Sequence, residues 1–302
     1  MSEIVIKTTE LTKDYGKNRG IFDISIEVKK GEVFGFVGTN GSGKTTTIRN
    51  MMGFIKPNKG SSIVNGLDSW KQSADIMKDV SYVPGEIAFP ALKTGTEFLK
   101  TQASYLGVTD FSYMNHVIEL LQLDPSANLK RMSKGMKQKT AIVAALMGEK
   151  EVLVLDEPTT GLDPLMRESF LDLIREEKQK NHTIFMSSHI FEEIEAVCDR
   201  VAMIKDGHII GVLSLYDLRH PSIKEFIIEF EEAGCKQDFI SKGVFVAESD
   251  TNNSCTIKCK VEQLDLLFNT LKSYKITNFQ EISHSLQERF MSAYKEGINH
   301  EQ

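Results

Sequence analysis

Eight consecutive residues, Gly38-Thr39-Asn40-Gly41-Ser42-Gly43-Lys44-Thr45, satisfy the pattern G-x-x-x-x-G-K-[ST]. Glycines let a backbone curl until its N–H groups point inward, and a helix starting there adds the positive end of its dipole, so the turn suits an anion. Lys44 would neutralise the β and γ phosphates of a bound nucleotide, and the Thr45 hydroxyl is placed to ligate magnesium. The expected binding run is Gly38 through Thr46. The alternative is a glycine-rich strand-to-helix turn that binds nothing. A second constellation, Val152-Leu153-Val154-Leu155-Asp156-Glu157, is an apolar strand that ends on two consecutive carboxylates. Asp156 suits magnesium, and Glu157 would face the γ phosphate and accept a proton from the attacking water. Its alternative is an acidic pair that merely opens a loop.

These groups act together only if a sheet brings their strand ends side by side. Short apolar strands are expected around Ile4 to Lys7, Ile21 to Val28 and Val33 to Val37, the last running into the glycine-rich turn. The runs Val152 to Leu155 and Thr183 to Ser187 are each followed by a helical pattern, Pro164 to Lys178 and Ile190 to Cys198. Apolar strands alternating with helices imply a mostly parallel sheet covered on both faces, whose carboxyl ends bind ligands. Asp206-Gly207, between Val201 to Ile204 and His208 to Val212, is a hairpin signal that gives this sheet an antiparallel edge.

The fold class is thus α/β, a P-loop NTPase, with a helical insert at about 86–132. After Leu215 the pattern turns to short strands (Ile223 to Phe230, Val244 to Glu248, Cys255 to Cys259) and helices near Val261 to Ser273 and Ser285 to Lys295, with Pro221 in a linker. The expected domains are 1–215, the nucleotide-binding part, and 222–302, a small accessory α+β domain.

Composition excludes several classes. A length of 302 residues suits one large domain or two ordinary ones. Set against 42 acidic side chains, 36 basic ones leave a net charge of -6, so no global positive field draws in nucleic acid, and none is expected as a partner. Cys198, Cys235, Cys255 and Cys259 are too sparse for a disulfide scaffold. Cys255 and Cys259 read as same-face strand residues, with metal ligation as the alternative. Apolar runs such as Ala141 to Met147 fall far short of the roughly 20 residues that cross a bilayer. With no secretory-type start, the expected compartment is the cytosol.

From Ile4 to about Val212 the chain resembles the nucleotide-binding subunit of an ATP-binding cassette (ABC) transporter. Beyond the two phosphate motifs, Met132-Ser133-Lys134-Gly135-Met136 occupies the place of the family signature, usually LSGGQ. Gly161-Leu162-Asp163 matches its D-loop, His189 after Ser187-Ser188 its switch histidine, and Tyr15 in Lys13-Asp14-Tyr15-Gly16 the aromatic that stacks on adenine. On residues alone, Ser133 is a natural helix N-cap and, with Lys134, an anion site, whereas Tyr15 could equally be a core or rim aromatic.

The resemblance implies that ATP and Mg2+ are the ligands and that Ser133 and Gly135 close the site of a second nucleotide-binding subunit, identical or not. His189 would contact the γ phosphate and position the water. The partner would be a separate membrane permease, used for export from the inner face of the cell membrane. Two departures stand out. Gly85, in Tyr82-Val83-Pro84-Gly85-Glu86, replaces the glutamine that touches magnesium and water, so Glu86 or solvent takes its place or the coupling is tuned differently. Lys134 and Met136 replace glycine and glutamine. The alternatives are a soluble ABC ATPase and a non-hydrolysing switch.

Overall fold

The computed structural model describes residues 3–249, 253–282 and 285–299. The chain divides into two compact units, residues 1–215 with 290–302, and residues 216–289.

In the first unit, β1 (Ile4–Asp14), β2 (Gly20–Lys29) and β3 (Val33–Val37) lead into α1 (Lys44–Met51). Next come β4 (Lys59–Val64), β5 (Leu67–Asp68), α2 (Ser73–Asp79) and β6 (Val80–Val83), then α3 (Gly95–Leu106), α4 (Ser112–Leu120) and α5 (Lys134–Leu146). The unit continues through β7 (Val152–Asp156), α6 (Pro164–Gln179), β8 (Thr183–Ser188), α7 (Phe191–Val197), β9 (Arg200–Lys205) and β10 (His208–Ser214), after which α8 (Leu215–Arg219) begins.

Six strands form the main sheet in the order β10-β9-β3-β8-β7-β6, parallel throughout except for the β9/β10 hairpin. Every residue of β3, β7 and β8 is buried, which is why these strands read as continuous apolar runs rather than alternating ones. Phe34, Phe36 and Phe185 stack between them, with ring centroids 5.9 and 5.4 Å apart. The hairpin turns through Asp206 and Gly207 at φ 47° and 82°, the paired left-handed residues that such a turn needs.

Three features differ from the expectations. The two earliest strands do not join the parallel sheet; β1 and β2 pair with β4 and β5 in a separate antiparallel sheet, β2-β1-β4-β5. β1 runs on to Asp14 because shifts in its register let it keep pairing past Lys7. The helical layer extends beyond Met132, since α5 packs on both α3 and α4.

The second unit holds β11 (Ile223–Phe230), α9 (Ala233–Ser241), β12 (Val246–Ser249), β13 (Ser254–Lys260), α10 (Leu264–Leu271) and β14 (Ile276–Ile282). They form an antiparallel sheet, β12-β13-β11-β14, over a core that includes Phe226, Phe230, Phe239 and Leu267. Cys255 and Cys259 share one buried face of β13 within that core. None of the four cysteines is in a disulfide, and among the described residues no group of three or more His, Cys, Asp or Glu is arranged to hold a metal.

The last helix, α11 (Leu286–Asn299), does not belong wholly to a 222–302 domain. From Phe290 onward the chain groups with the first unit, where the buried Phe290 ring lies 5.1 Å from Phe191. No helix among the described residues is long and apolar enough to cross a membrane.

Candidate functional site

The glycine-rich loop leaves β3 at Val37 and becomes α1 at Lys44. Its glycines are demanded by space and by conformation. A Cβ on Gly38 would lie 2.3 Å from the Ile204 carbonyl oxygen, and Gly43 has φ 113°, which side chains rarely tolerate. No side chain caps α1, so the N–H groups of its first turn keep no side-chain acceptor. Lys44 folds back over the loop, and its Nζ donates to the carbonyls of Gly38 at 2.7 Å and Thr39 at 3.1 Å. Ser42 is buried, with a hydroxyl that has no partner among the described residues.

β7 delivers the carboxylates beside this loop. Asp156 is wholly buried; its Oδ1 accepts from the Ser187 hydroxyl at 2.8 Å, while Oδ2 has no hydrogen-bond partner among the described residues. Burial pushes its carboxyl up, against the pull of the Ser187 hydrogen bond. Oδ2 also faces Gly85, where a Cβ would stand 3.1 Å away. The half-buried Tyr82 phenol is pushed up to about 12, first by burial and then by the Asp156 charge.

Glu157 turns the chain at φ 50°, a left-handed conformation that costs an ordinary residue about 1 kcal/mol or more. Its N–H donates to Ser187 Oγ at 3.0 Å. Its side chain stands between two cations or potential cations: Oε1 lies 3.0 Å from Lys44 Nζ, and Oε2 is hydrogen-bonded to His189 Nδ1.

A cleft of about 830 Å³ opens over this group. Asn40, Gly41, Gly43, Lys44, Thr45 and Thr46 line its floor, with Glu157 and His189 on one side. Gly38, Thr39, Ser42 and Asp156 do not line it; Gly38, Ser42 and Asp156 are buried, whereas Thr39 is exposed. Tyr15 stands at the rim with 51% of its surface exposed, so it is not a core aromatic. Ser133 and Gly135 are not brought to this cleft. They line a separate groove of about 380 Å³ with Met136, Lys139 and the Gly161-Leu162-Asp163 turn. There Ser133 caps α5 by accepting the Met136 N–H at 3.2 Å, the N-cap place its residue type suggests. A Cβ on Gly135 would lie 2.7 Å from the Gly161 carbonyl, which ties the two turns together.

The cleft also contains Asn18, Arg19, Arg49, Thr160 and Asp206. Of these only Asp206 carried a signal in the sequence, as half of a hairpin turn rather than as a site residue.

A loop that can cradle a polyphosphate thus lies against a carboxylate–histidine pair. A family profile described as "ABC transporter" matches residues 21–160. The bacitracin transport ATP-binding protein BcrA of Bacillus licheniformis is 39% identical over 230 residues, 75% of this chain and 74% of that protein. The chain belongs to the ABC transporter ATP-binding proteins. The linearmycin resistance ATP-binding protein LnrL of Bacillus subtilis (strain 168) is another ABC relative, 32% identical over 241 residues, 78% of either chain. Among solved structures, an ATP-binding subunit of an ABC transporter is 29% identical and superposes with a TM-score of 0.64 over 72% of this chain and 92% of that one. As an ABC ATP-binding subunit, the chain binds and hydrolyses ATP to power transport. Subunits of this family dimerise and pair with membrane permeases.

Proposed function

We propose that the chain is the ATP-hydrolysing subunit of an exporter, with Glu157 as the general base and His189 as the group that orients it. The observation that carries this reading is the position of Glu157, bound on one side to Lys44 and on the other to His189. A carboxylate held beside the phosphate-binding lysine is placed to take the proton of an attacking water.

The residues fit magnesium and a triphosphate. Asp156 keeps one buried oxygen without a partner, Thr45 lies within hydrogen-bonding reach of the same carboxyl, and the loop from Gly38 to Thr46 offers backbone N–H groups and Lys44. Thr45 and Asp156 would hold the metal, which when bound neutralises phosphate charge. The exposed Tyr15 ring is free to stack on adenine. Glu86 lines the cleft beside Gly85, and so supplies the functional group that the glycine lacks.

Ser133 and Gly135 line a groove other than the cleft of their own chain, with Lys134 lining both, and this supports their use on a second subunit's nucleotide. The partner of such a pair is a separate integral membrane permease, reached from the cytoplasmic face. Export rests on the bacitracin-transport and linearmycin-resistance relatives.

Size-exclusion chromatography with light scattering tests the paired arrangement. Glu157→Gln should run at twice the monomer mass with MgATP and return to the monomer with ADP. A single mass under both conditions would count against closure by the second subunit.

A further inference from the structure

Among the buried carboxyl groups that the reaction as described leaves unused, Glu193 adjoins the site. Glu193 sits in the first turn of α7 and is 4% exposed, a setting in which an acidic side chain persists only when hydrogen-bonded. Its Oε2 accepts from the Thr159 hydroxyl at 2.8 Å and from the Ser188 hydroxyl at 2.9 Å, while Oε1 has no partner among the described residues. Burial raises this carboxyl, and the two hydroxyl donors oppose the shift.

Both partners adjoin the reacting groups. Thr159 follows Glu157 by two residues, and Ser188 immediately precedes His189. Each is fixed in turn: the Thr159 carbonyl accepts the Leu162 N–H at 3.0 Å, and Ser188 Oγ accepts the Ile190 N–H at 3.0 Å. Alternation along β8 sends its last two serines to opposite faces. Ser187 donates to Asp156, and Ser188 donates to Glu193. The β8 terminus is therefore held by a buried carboxyl on either side, and the second one ties the loop of Glu157 to the strand end of His189.

We propose that Glu193 is a positioning residue for ATP hydrolysis, its carboxyl clamping Thr159 to Ser188 so that Glu157 and His189 keep their contact. This rests on the reading of Glu157 as the base. A displacement of about 1 Å at a reacting group costs on the order of 100-fold in rate, so such a clamp acts on turnover far more than on ATP affinity.

The test uses the full chain and measures steady-state phosphate release, ATP affinity and melting temperature on the same preparations. Glu193→Ala should lower kcat roughly 10- to 100-fold with KM for ATP changed by no more than about twofold. Glu193→Gln, which keeps an acceptor oxygen in nearly the same shape, should recover most of that loss. Thr159→Val and Ser188→Ala should each lower kcat by a few fold, and neither should add to the loss in Glu193→Ala, as groups acting through one contact do.

Unchanged kcat in folded Glu193→Ala would overturn the proposal, as would a loss shared equally by kcat and ATP affinity. If Glu193→Ala does not fold, the hydroxyl variants decide: lowered kcat with normal ATP affinity supports the clamp, and full kcat in both refutes it. Glu157→Gln in the same assay separates the two assignments. Should it retain turnover, the base assignment fails; should it be inactive while Glu193→Ala is fully active, only the clamp fails.

Discussion

Asp156 and Glu157 are neighbours in sequence with opposite surroundings. Asp156 lies wholly inside, raised by burial and facing an open position beside Gly85, whereas Glu157 stands at the cleft between Lys44 and His189. Environment, more than residue type, divides a metal-binding role from a basic one. The loop opposite is just as tightly specified. Because a Cβ on Gly38 would meet the Ile204 carbonyl at 2.3 Å, Gly38→Ala should cost about 1–3 kcal/mol. A thermal melt should show that loss, and ATP titration should show at least a tenfold weaker affinity; wild-type values in both would contradict the packing described. The phosphate loop and Asp156-Glu157 were legible because each motif is contiguous. Glu193, Thr159 and the role of Ser187 were not, since their contacts join residues about 30 positions apart.

Among the elements, α4 and α6 are joined by a polar cluster that no motif announces. The buried Glu177 carboxylate accepts from Tyr113 Oη, from Lys180 Nζ at 2.9 Å and pairs with His182 Nδ1 at 2.7 Å. Burial alone would raise its carboxyl, but these donors outweigh burial and hold it below its ordinary 4.5. A carboxyl depressed in the folded state contributes stability above its unfolded value, and that stability is lost as pH falls through the folded value. Melting temperatures should therefore show wild type more stable than Glu177→Gln above pH 4.5, with the gap closing as the pH drops below it. A gap that persists unchanged into acid would contradict this assignment. Tyr113→Phe should cost about 1.5–3 kcal/mol for the lost bond to a charged group. Long, strongly patterned elements such as α6 and β7 could be read directly. β14 and α9 could not: β14 is an edge strand with most residues exposed, and α9 buries only Lys236 and Phe239, so neither carries a periodic apolar signal.

For the whole molecule, the distance in role between the two grooves matters most. The phosphate cleft and the groove that holds Ser133 and Gly135 both lie on one chain, with Lys134 lining each, and in the proposed dimer each chain would contribute half of two sites. Composite sites predict complementation. Lys44→Ala and Ser133→Arg should each silence phosphate release alone, and an equimolar mixture should regain part of it, because a mixed dimer contains one intact site. A mixture as silent as its parents would argue against a dimer of identical chains closed in this way. The two-unit division was partly visible at Pro221, but the return of residues 290–302 to the first unit depends on Phe290 meeting Phe191, a contact no local pattern encodes.

Whether Glu157 accepts the proton of water attacking ATP held by Lys44 is decided by paired measurements of ATP affinity and phosphate release on wild type and Glu157→Gln. The variant should keep ATP affinity within about twofold while release falls at least about 100-fold, the scale of a lost general base. Release near the wild-type rate with ATP bound as before would contradict it.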